Sequence, residues 1–126
     1  MTPPDRLSLI HTDIGVNLVG AGENLRLIDW QCPAIGDLCE DIYSFLSPAF
    51  QILAKRKPLT DAQTHNFWQA LGRPNIAKRY DLVMPAYAWR FAGYCAWRTE
   101  VMQDTEICAR YQCALGEELR YMRQTA

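Results

Sequence analysis

Histidine is scarce in this sequence: only His11 and His65 occur in 126 residues, and no two cysteines stand in a C-x-x-C pair. Zinc sites of the usual spacing and histidine-rich metal centres are therefore excluded as expectations. The five cysteines, Cys32, Cys39, Cys95, Cys108 and Cys113, are odd in number and do not form a disulfide framework. They are read as reduced thiols of the core. Charge of one sign is also lacking. A formal net charge of -1 gives no general field to gather nucleic acid or an anionic membrane. No apolar run approaches the roughly 18 residues of a membrane span. The opening MTPPDRL has neither the basic start nor the apolar stretch of a signal peptide. The expectation is a cytoplasmic protein with no nucleic-acid partner and no membrane partner.

The remaining composition is that of an ordinary globular chain, with 49% apolar and 21% charged residues. The length suits one domain, residues 1–126. Leu7 to Ile10 reads as a strand. Leu18-Val19 and Leu25 to Ile28 flank the turn-forming Gly20-Ala21-Gly22-Glu23-Asn24 and read as a hairpin. From Asp37 onward the period becomes helical. Leu38, Ile42, Phe45 and Leu46 lie on one helix, interrupted by Pro48. After the basic connection Lys55-Arg56-Lys57-Pro58, read as a solvated loop, Thr60 caps a helix reaching about Leu71, stopped by Gly72 and Pro74.

The stretch from about Asn75 to Glu100 is apolar nearly all round, so the pattern predicts a central buried helix, with Pro85 kinking or dividing it. A last helix from about Asp104 to Met122 carries Ile107, Tyr111, Leu115 and Leu119 on one stripe. The fold class implied is α+β and mostly helical: a strand and hairpin in residues 1–36, and a helical subdomain in residues 37–126.

The chemistry-bearing residues cluster near the start. His11, Asp13 and Asn17 lie on one loop between strands, and the second hairpin strand runs into Leu27-Ile28-Asp29-Trp30. A hairpin brings its ends together, so Asp13, Asn17 and Asp29 can converge. Two carboxylates and an amide oxygen suit hard Mg²⁺, which keeps water and substrate phosphates in its shell. One carboxylate is then left to orient a hydroxyl nucleophile, the division of labour phosphoryl transfer requires.

His11-Thr12-Asp13, Asn17, Ile28-Asp29-Trp30, Gly36-Asp37 and Asp41 follow one another in an order that resembles the aminoglycoside phosphotransferase and choline kinase group of the kinase-like fold. The resemblance implies the C-terminal lobe of that fold, with Asp13 as catalytic base. It implies that Asn17 and Asp29 bind Mg²⁺ bridging the phosphates of ATP, and that His11 supports the loop. It also implies that Asp41 is a buried aspartate accepting backbone hydrogen bonds from it. Asp37 is read as the cap of the following helix.

The implied activity is phosphorylation of a small-molecule hydroxyl. The loop is one residue shorter than the usual family pattern. Only ten residues precede His11, where relatives carry an N-terminal nucleotide lobe, and there is no Gly-rich phosphate loop or strand lysine. A weak or inactive kinase in isolation is therefore expected, its missing lobe supplied by a longer reading frame or a partner chain.

Two other readings stand beside it. One is a truncated, non-catalytic remnant serving as a binding module, which predicts an exposed apolar face where a lobe docks. The other is a metal-dependent phosphoesterase built on His11, Asp13 and Asp29, disfavoured because two-metal hydrolases use more ligands. Tyr87, Trp89, Tyr94 and Trp97 suit a pocket for a quaternary ammonium acceptor, but their apolar setting favours plain core packing. Glu100, Asp104 and Glu106 read as a solvated helix cap rather than a site for a cationic acceptor.

Overall fold

The computed structural model describes residues 3–15 and 17–124. Val16, between Asp13 and Asn17, lies outside the described residues. Strands come first: β1 (Ser8–Ile10), β2 (Leu18–Val19), β3 (Arg26–Leu27) and β4 (Ala34–Gly36). The helices α1 (Leu38–Leu46), α2 (Pro48–Leu53), α3 (Asp61–Leu71), α4 (Pro74–Val101) and α5 (Thr105–Gln124) follow. The fold is α+β and mostly helical, with two small antiparallel sheets.

The hairpin β2–β3 pairs Leu18 with Leu27 and Val19 with Arg26. Its turn depends on Gly20, which adopts φ +97; a Cβ there would stand 2.3 Å from the Asn24 carbonyl oxygen. β1 does not stand alone as expected from the sequence. It pairs antiparallel with β4, Leu9 opposite Ile35, and this pairing closes residues 11–33 into one loop-and-hairpin excursion.

Asp37 is the N-cap of α1, its side chain accepting from Cys39 N. Ser47 ends α1 and N-caps α2, where Pro48 takes the first helical position, so the proline starts a new helix rather than merely stopping one. Thr60 and Gln63 form a capping box for α3, and Gly72 ends it in the left-handed conformation at φ 60.

The main core sets Cys39, Ile42, Tyr43 and Leu46 of α1 against Tyr80, Val83, Met84 and Ala88 of α4. A second cluster joins Ala49, Cys95 and Ala114 across α2, α4 and α5, with Phe50 and Phe91 stacked at 4.0 Å beside it. α4 runs through Pro85 as one element. The proline has no N–H for the carbonyl four residues back.

Three expectations need correction. α4 is central but not buried all round: Leu82, Trp89 and Trp97 face outward. The neighbours α1 and α5 occupy only part of its circumference. For the same reason Trp89, Tyr94 and Trp97 are not core aromatics, although Tyr87 packs against Tyr43 at 5.5 Å. Of the cysteines, all five are free, but Cys32 and Cys113 are exposed and Cys108 is half-buried. Only Cys39 and Cys95 are core thiols, and burial pushes each of them up to about 12.

Asp37 also grips α4. Arg79 Nε donates to its Oδ2 at 2.7 Å, and the pair has side chains only 14–20% exposed. Burial pushes the Asp37 carboxyl up, but the Arg79 guanidinium and the Cys39 N–H outweigh it, leaving the group below its ordinary 3.8. A lowered pKa means stability that is present above about pH 3.8 and lost as pH falls through the folded value. Asp37→Ala is therefore expected to cost about 1–2 kcal/mol at pH 7. The difference from wild type should shrink in urea melts at pH 3, and an unchanged gap would sink this assignment.

Candidate functional site

The loop after β1 turns at Thr12, a β-branched residue held at φ 70. That conformation is unfavourable for such a side chain and persists only where its surroundings impose it. Here they do. Asp41, in the first turn of α1, accepts from His11 N at 2.7 Å and from Thr12 N at 2.8 Å. The Thr12 hydroxyl donates to the Cys32 carbonyl at 2.8 Å. A buried carboxylate near the positive end of a helix thus fastens the turn from below, and the bend leading into β4 fastens it from the side.

His11 is buried and uses both ring nitrogens. Nε2 donates to the Ile28 carbonyl at 2.8 Å, and Nδ1 accepts from Asp13 N at 3.2 Å. These roles assign the Nε2–H tautomer. Trp30 packs edge-on against the ring at 4.6 Å. His11 therefore ties the loop to the hairpin and has no free nitrogen for a proton or a metal.

Asn17 is also buried. Its Nδ2 donates to the Asp13 carbonyl at 2.9 Å and to Asp13 Oδ2 at 3.3 Å, while its own carbonyl accepts from Ile28 N at 2.9 Å. The shortened loop still brings Asn17 onto Asp13. Asp29 follows Ile28 directly, exposed and left-handed at φ 59, a conformation Asp tolerates better than most residues. Ile28 is thus the junction: its carbonyl takes His11, its N–H goes to Asn17, and the next residue is Asp29.

With Nδ2 committed to Asp13, the Asn17 amide oxygen is the atom left for a ligand, together with Asp13 Oδ1 and the Asp29 carboxylate. One amide oxygen and the Asp29 carboxylate suit part of a Mg²⁺ shell whose rest is left to water and phosphate, with Asp13 Oδ1 outside it. They do not make a closed cage: among the described residues no group of three His, Cys, Asp or Glu side chains could hold a metal ion.

An apolar groove of about 470 Å³ that Asp41 itself helps to line runs between the hairpin and the helices, walled among others by Leu9, Leu18, Leu27, Trp30, Ile42 and Phe67. Of the acidic residues expected as a solvated cap, Asp104 accepts from Ile107 N at the start of α5, whereas Glu106 pairs with Arg110 within α5 and Glu100 is exposed at the end of α4.

Two contributors were not foreseen from the sequence: the Thr12 turn with its bond to Cys32, and Trp30 against His11. Neither has a local signal, since each contact joins segments about twenty residues apart. Comparison with protein-family models, with curated proteins and with solved structures finds no match to this chain. No helix among the described residues is long and apolar enough to cross a membrane.

Proposed function

We propose that this chain is the catalytic-loop half of an ATP- and Mg²⁺-dependent phosphotransferase acting on a small-molecule hydroxyl in the cytoplasm, built as the C-terminal lobe of a kinase-like fold. The observation that carries this reading is the single hydrogen-bonded unit joining Asp13, Asn17 and the strand end at Asp29 through Ile28 and His11.

In that reading Asp13 is the base. Asn17 holds its Oδ2, so Oδ1 is free to orient the acceptor hydroxyl and take its proton as the oxygen attacks the γ-phosphorus and ADP departs. Asn17 Oδ1 and the Asp29 carboxylate would hold the magnesium, which supplies neutralisation of phosphate charge. His11 and Asp41 position the loop. The remaining phosphate contacts come from a nucleotide lobe outside these residues.

Calorimetric titration with ATP tests the site. The chain is expected to bind nucleotide weakly and only with Mg²⁺, and Asp29→Ala is expected to lose that Mg²⁺-dependent binding with no more than a small drop in melting temperature, from alanine at a left-handed position. If wild type binds no nucleotide at millimolar ATP with Mg²⁺, kinase function of this chain is untenable. A second reading, a non-catalytic binding module, is favoured by the exposed Leu7, Leu9 and Ile35 around the β1–β4 pair and by the groove beside it. It predicts a folded chain without nucleotide binding.

A further inference from the structure

We propose that the chain self-associates through the outer face of α4, a second copy packing antiparallel across it. Leu82, Ala86, Trp89, Gly93 and Trp97 are all exposed. They recur at steps of four, three, four and four residues, which sets them on one face of the helix. The opposite face is already committed, with Tyr80, Met84, Ala88, Ala92 and Cys95 buried in the core.

The occupant follows from the order of sizes along the stripe, which alternates large and small. Consider a two-fold axis at Phe91–Ala92. It sets Trp97 of one copy against Ala86 of the other and Trp89 against Gly93, with Leu82 and the exposed Val101 meeting at the ends. Each tryptophan then meets a small residue, the interdigitation that close helix packing requires. A parallel arrangement would set tryptophan against tryptophan.

Charge favours the same arrangement. Lys78 is exposed near the start of α4, and Glu100 and Asp104 are exposed at its end. Antiparallel packing brings the lysine of each copy toward the acidic end of the other, as an isologous interface demands. Arg90, beside Gly93 at the rim, is already paired with Glu40.

The area is of the right order. Leu82 is 77% exposed, Trp89 72% and Trp97 53%. Aromatic side chains of about 150–250 Å² each make the two tryptophans alone worth roughly 190–310 Å². That is about a quarter to two fifths of the ~800 Å² per partner of a standard interface, before Leu82, Val101 and the rim are added.

Sedimentation velocity of the 126-residue chain tests the proposal. Wild type is expected to pass from monomer to dimer as concentration rises through the micromolar range, with a blue shift of tryptophan emission as Trp89 and Trp97 leave water. Ala86→Glu puts a charge in the hole that receives Trp97 and is expected to weaken association at least about tenfold. Its helical circular dichroism at low concentration should match wild type. Should that signal change, Trp97→Gln, which removes the knob from an exposed position, takes its place. A wild-type chain that stays monomeric throughout, or a dimer indifferent to both substitutions, overturns the proposal.

Discussion

Replacing Glu118 with alanine is expected to lower the free energy of unfolding by about 3–4 kcal/mol. Glu118 lies on α5, fully buried, and takes three hydrogen bonds from elements distant in sequence. The Tyr43 hydroxyl donates to Oε1 at 2.6 Å, the Ser47 hydroxyl to Oε2 at 2.6 Å, and Ala49 N to Oε2 at 3.1 Å. Ala49 N is one of the unpaired donors in the first turn of α2, so the carboxylate caps that helix from another one. Alanine would strand all three donors inside the core.

Burial pushes the Glu118 carboxyl up, against the pull of the three donors. A raised pKa means that its stabilising contribution is full below the ordinary carboxylate value and is lost as pH rises through the folded value. Glu118→Gln should cost much less than alanine. Its amide oxygen can accept from Ser47 and Ala49 while its NH₂ donates to the Tyr43 oxygen, which only has to turn its own hydrogen. The glutamine variant should also lack the decline in stability with rising pH above the ordinary carboxylate range. Urea unfolding across pH 4–8 for the three proteins measures both effects. A glutamine variant as unstable as the alanine one would show that charge, rather than donor satisfaction, is what matters at this site.

Asp41→Ala is expected to cost about 2–4 kcal/mol and to release the loop after β1. The carboxylate satisfies one buried and one half-buried backbone donor at once and is the main restraint on Thr12 at φ 70. Without it the left-handed threonine loses what offsets its strain. The signature is local: amide hydrogen exchange at His11 and Thr12 should approach the rate of unprotected loop amides, while the amides of α4 accelerate by no more than the roughly 30- to 1,000-fold that the global loss implies. Protection at these two amides that survives the substitution would mean that the Thr12–Cys32 bond alone holds the turn. Loss of Asp41 should also abolish any Mg²⁺-dependent nucleotide binding, because Asp13 and Asn17 are positioned through the same loop.

Much of the helical half is legible as local punctuation. Asp37, Thr60 with Gln63, Gly72 and Asp104 each act within one turn of the chain, so their effect does not depend on what packs nearby. The hairpin is legible for the same reason, through Gly20 and the alternation on either side. The site is legible as a list: Asp13, Asn17, Asp29, His11 and Asp41 stand out by type and order. Their roles are less so. That His11 spends both nitrogens on the backbone follows from where Ile28 lies across the hairpin.

β4 is not legible because three residues after a proline carry almost no periodic signal, and its existence rests on β1. α4 misled for the opposite reason. An apolar pattern all round a helix says that several faces can be covered, not that neighbours are present to cover them, and the outer tryptophans remain exposed.

Residue order thus decides where helices start and stop, and which side chains stand out as candidates, because caps, turns and periodicity act over a few residues. The loop after β1 owes its shape to something else. Thr12 is held left-handed by an aspartate 29 residues away, and Glu118 is tolerable in the core only because donors 69, 71 and 75 residues distant converge on it. A strained turn or a buried carboxylate persists when partners arrive from several elements together, and packing alone brings them there.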